Sequence, residues 1–83
     1  MRITADHVRA LLESELSEPN LVVLEGRVSV LDASDLGSQR YAGALVVASR
    51  EDLHGRLGDR EPSERELTEL AAGLEAGVSN LGG

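Results

Sequence analysis

Apolar residues follow two different spacings along this chain. Near the start, Val8, Leu11, Leu12 and Leu16 recur every three or four positions, which predicts a helix over Thr4–Leu16 with one apolar stripe. The Thr4 hydroxyl is placed to cap that helix, and Ile3 just before it is placed to pack on Val8 one turn later. Glu18-Pro19-Asn20 then ends the helix and turns the chain. Beyond it the spacing changes. Leu21–Leu31 reads LVVLEGRVSVL and Ala44–Ala48 reads ALVVA, both with apolar residues at consecutive positions. Neighbours on a strand point to opposite faces, so strands of this kind need cover on both sides.

The first of these stretches admits two arrangements. With Glu25-Gly26 as a two-residue turn it is a hairpin: Leu24 faces Arg27, Val23 faces Val28, Val22 faces Ser29 and Leu21 faces Val30. Leu21, Val23, Val28 and Val30 then form an apolar face, and Val22, Leu24, Arg27 and Ser29 a mixed one. As a single long strand with Gly26 inside it, Val22, Leu24, Val28 and Val30 share a face instead. An interior glycine and unusual length count against the single strand, and the absence of Asn-Gly or Asp-Gly counts against the hairpin. The hairpin is the preferred arrangement.

Asp32–Tyr41 is a polar connection in which Asp32 can cap one helical turn, Ala33–Leu36, stopped by Gly37. Tyr41–Ala48 is expected to be the last strand. Ser49-Arg50-Glu51-Asp52 opens a short helix with Leu53 and Leu57 on its buried side, ended by Gly58. Ser63-Glu64-Arg65-Glu66 is a second capping box and opens the longest helix, whose seam is Leu67, Leu70, Ala71, Leu74, Val78 and Leu81. Gly73 and Gly77 flank that seam. The expected fold is α+β, with residues 1–83 as one domain: an N-terminal helix, a small antiparallel sheet of two or three strands, then a short and a long helix.

Charge narrows the function classes. The chain carries 15 acidic and 8 basic residues, net −7, and every basic residue is Arg. An acidic chain repels the phosphate backbone, so no nucleic-acid partner is expected. Without Lys there is neither Schiff-base chemistry nor a phosphate-loop lysine. Without Cys there is no disulfide, thiolate nucleophile or zinc–sulfur site. The opening MRITADHVRALLESEL lacks the apolar core of a signal peptide, and no stretch reaches membrane-spanning length, so a cytoplasmic protein with no membrane partner is expected.

Candidate chemistry is sparse. His7 and His54 stand beside Asp6 and Asp52, but no third or fourth ligand is spaced to join them, so no metal is expected. The carboxylates Glu64, Glu66, Glu69 and Glu75 read as the polar face of the last helix. No glycine-rich phosphate loop and no nucleophile elbow occur, and no cofactor is expected. Leu81-Gly82-Gly83 resembles the Gly-Gly ending of small protein modifiers and sulfur carriers, which implies a function through a carboxyl-terminal glycine. The resemblance covers three residues, and here they follow a helix where those families have a final strand.

The leading expectation is a non-catalytic interaction module, a homodimer or a binder of another protein, in which a second chain covers the apolar strand face; the alternative is that the long helix crosses to that face and the monomer closes on itself. Its interface candidates are Val22, Leu24, Leu45, Val47, Gly73 and Gly77. A small-molecule binder or small enzyme is the second expectation, with Arg40, Tyr41 and His54 as polar groups of a pocket between sheet and helices. A modifier using the Gly-Gly ending is the third.

Overall fold

The computed structural model describes residues 2–58 and 60–82, with side chains through residue 79. The first helix, α1, spans Ala5–Glu13. Its start is a reciprocal cap: the Thr4 hydroxyl accepts from the His7 amide, and His7 Nδ1 accepts from the Thr4 amide at 3.0 Å. Ile3 and Val8 are both buried, as the expected packing across the cap requires.

α1 ends at Glu13 and does not continue to Leu16. Ser14 is already extended (φ −60°, ψ 141°), and the carbonyls of Ser14, Leu16 and Ser17 accept hydrogen bonds from the Arg50 guanidinium at 2.7, 3.2 and 3.3 Å. A planar cation with several donors satisfies carbonyls that a longer helix would have bonded internally. Leu16 therefore leaves the apolar stripe and is exposed.

The sheet contains β1 (Pro19–Leu24), β2 (Arg27–Asp32) and β3 (Leu45–Ser49) in the order β2-β1-β3, all antiparallel. β1 and β2 form the hairpin with the register Leu21↔Val30, Val22↔Ser29, Val23↔Val28 and Leu24↔Arg27. Its turn puts Glu25 at φ 52° and Gly26 at φ 78°, the two left-handed residues that a tight turn between twisted strands needs.

Between β2 and β3 lie the single turn α2 (Ala33–Leu36) and a 3-10 turn at Gln39–Tyr41. The last strand starts at Leu45 instead of Tyr41, because residues 39–44 are taken by successive turns closed by Tyr41, Ala42 and Ala44 amides. The Asp32 carboxylate does not cap α2. It accepts from the Glu18 amide and the Ser34 hydroxyl, both at 2.9 Å, which ties the start of β1 to the end of β2 and lowers the Asp32 pKa.

α3 (Arg50–Leu57) and α4 (Glu64–Gly82) complete the chain. Ser49 caps α3 by accepting from the Asp52 amide, and Gly58 ends it at φ 71°. Ser63 and Glu66 form the full reciprocal box at the start of α4. The core comprises Ile3, Val8, Leu11, Leu21, Ala48, Leu53, Leu67 and Ala71, so α1, α3 and α4 all pack on the sheet face that carries Leu21, Val28 and Val30.

Val22 points to the opposite face and is only 1% exposed, outside that core. The expectation that a second chain covers this part of the strand is corrected here: the cover comes from within. β1 lies between β2 and β3, so residues 33–44 must cross β1 to connect them. With the three longer helices on the other side, this crossover is the segment left to cover Val22.

Candidate interaction surface

β3 is an edge strand, paired with β1 on one side only. Its pairing has an irregularity: Leu21 partners Ala48, but the next residue, Val22, partners Val46, which leaves Val47 as the extra residue of a bulge. The bulge breaks the strict alternation of faces. Val47 packs against the core, while Leu45 and Val46 stand 37% and 48% exposed. ALVVA is thus explained without two buried faces. One valine is turned inward by the bulge, and two neighbours are left open.

These residues form one wall of a groove of about 610 Å³ between β3 and α4. The opposite wall is the outer part of the α4 seam, Leu70, Leu74 and Val78, with Gly73 and Gly77 between them. The deep part of the same seam, Leu67 and Ala71, is used up by the core. A Cβ atom added at Gly73 or Gly77 would meet nothing within 4 Å, so no contact inside the chain requires either glycine.

The groove's rim carries both signs of charge: Arg56 and Arg60, with Glu66 and Glu69. Arg60 grips the Glu66 carboxylate with two guanidinium nitrogens, one at 2.6 Å from Oε1, while the Ser63 amide donates to the same carboxylate at 3.2 Å. The Arg60 hydrogen bond first, and the Ser63 amide second, hold the Glu66 pKa down at about 2. The same pairing raises that of Arg60. Glu69 accepts from Arg65 at 3.2 Å one turn away.

Four of the six interface candidates from the sequence, Leu45, Val47, Gly73 and Gly77, line this one groove. Val22 is buried within the chain, and Leu24 is half-buried near the hairpin turn; neither lines it. Val46 is the most exposed large apolar residue here, and sequence reasoning passed it over. Alternation selects residues 45 and 47 of the run; a bulge, which leaves no mark in a uniformly apolar sequence, selects 45 and 46.

The candidate polar groups are not gathered. Arg40 lies over the Tyr41 ring, 5.4 Å from its centroid, on the 3-10 turn. His54 is exposed on α3 and borders two shallow grooves, neither of which Arg40 or Tyr41 lines. Among the described residues no polar or charged side chain is buried, and no three His, Asp or Glu side chains converge as metal ligands. Among the same residues no helix is long and apolar enough to cross a membrane. Gly83 lies outside the described residues, as does the Leu81 side chain; Gly82 is the last residue of α4. No protein-family model, curated protein or solved structure matches the chain.

Proposed function

We propose that this chain is a non-catalytic, cytoplasmic protein-interaction module whose contact surface is the groove between β3 and α4. One observation carries this reading: an edge strand with its outer backbone row open carries two exposed apolar residues, Leu45 on the face of its partner Val23 and Val46 on the opposite face with its partner Val22, and lines a groove with the remaining apolar seam of a long helix. An open strand edge is a template for another strand, and edges meant to stay free carry charge, proline or a bulge; β3 has a bulge at Val47 but neither charge nor proline. β2, the other edge, has Arg27 and Asp32 at its two ends. β3 has no charged residue from Leu45 to Ser49. A small-molecule site draws less support, because its three candidate groups do not share a groove.

Photo-crosslinking in the native host tests the reading. A benzophenone amino acid at position 46 is expected to trap a polypeptide, and the same residue at Ser29, exposed on the β2 edge, to trap none. Equal yields at the two positions, or no product at 46, would overturn it.

A further inference from the structure

Resting on that reading, we infer that the groove is filled by a second copy of this chain, with β3 of one copy antiparallel to β3 of the other and the two α4 helices side by side. The geometry makes the surface self-complementary. Antiparallel pairing of two identical edge strands places a twofold axis perpendicular to the sheet. Rotation about that axis keeps the helical faces of both sheets on the same side. α4 lies on that face beside β3, so one rotation closes the strand edge and brings the open wall of α4 against its equivalent. A partner that offers a strand and nothing else would cover the edge alone and leave Leu70, Leu74 and Val78 to be covered separately.

Two further observations fit a second copy. For a chain of 8.8 kDa the usual scaling gives roughly 4,800 Å² of accessible surface. This chain exposes 5479 Å². Summed over the whole chain, about 700 Å² more surface is exposed than the scaling gives, which is room for a contact with a second chain. Charge agrees as well. The whole chain is at −7, a net repulsion between copies, yet the groove rim balances two Arg against two Glu. This is a face on which copies meet without local like-charge excess. The bulge at Val47 limits β3 to a short pairing run, which leaves the larger share of the contact to α4. There Gly73 and Gly77 permit close approach of the two helices.

Sedimentation equilibrium of the full chain over about 1–100 µM is expected to give roughly twice the 8.8 kDa chain mass. Val46→Lys puts a charge on the open edge, and Gly73→Leu fills the α4 wall where the chain itself leaves free space. Each should weaken association by roughly tenfold or more, with the far-ultraviolet spectrum and the melting of dilute protein unchanged or improved. A dimer indifferent to both substitutions would use another surface and would overturn the inference. So would a wild-type chain that stays monomeric throughout. In that case a crosslink from position 46 to a different protein leaves the interaction reading standing, and the absence of any crosslink removes both.

Discussion

Glu66 serves two structures at once. Its carboxylate accepts from the Ser63 amide, closing the cap of α4, and holds the Arg60 guanidinium at the rim of the groove. Both roles need the ionised form, which is why its pKa falls to about 2. The unfolded chain binds this proton at the ordinary glutamate value of about 4.3, well above the folded value. The Glu66 contribution to stability is therefore fully present above about pH 5 and lost as pH falls towards 2. Urea unfolding of wild type and Glu66→Gln from pH 6 to 2 should show a stability difference that shrinks across this window. A difference that stays constant with pH would mean that the carboxylate is not held as described. Half of this arrangement was legible. Ser63 and Glu66 stand at capping-box spacing, whereas Arg60 meets Glu66 from six residues away, across the start of α4, and no local pattern encodes that. The reach of Arg50 to three carbonyls at the end of α1, more than thirty residues away in sequence, was hidden for the same reason.

Among the elements, α4 divides its apolar seam between two tasks. Leu67 and Ala71 are buried in the core, and Leu70, Leu74 and Val78 are half-buried along the groove. Periodicity located the seam and the capping box located its start. Neither can say which residues of a continuous seam the chain itself covers, and Leu70 and Leu74 look like its centre from sequence. The structure moves that centre one turn back. Leu67→Ala should cost about 2–5 kcal/mol in monomer stability, and Leu74→Ala roughly 1 kcal/mol, because less of its surface is taken from water in the monomer. Urea melts at low protein concentration, where association does not contribute, distinguish the two. Equal losses would mean that Leu74 is core and the groove is closed. The hairpin shows the same mixture. Its register follows from the positions of the apolar residues once the turn is placed, but Glu25-Gly26 is a weak turn signal, and only the left-handed backbone at both residues decides for it.

At the scale of the whole molecule, the α+β class was legible and the path of the chain was not. Strand order has no local signature. The sequence has strands following one another, and the structure places β1 between the other two, so residues 33–44 must cross it. Val22 is 1% exposed in the single chain, so its side chain needs no partner. The same order makes β3 an edge, and the bulge opens Leu45 and Val46 on it. The proposed interface therefore requires that another chain covers the outer backbone row of β3. Hydrogen exchange of the β3 amides measures this directly, because amides pointing away from β1 have no strand to bond within one chain. Those amides are expected to exchange fast in dilute protein and to be markedly protected at high concentration, with the β2 edge unchanged. Exchange at β3 that is equally fast at both concentrations, or protection that appears at the β2 edge instead, would contradict it.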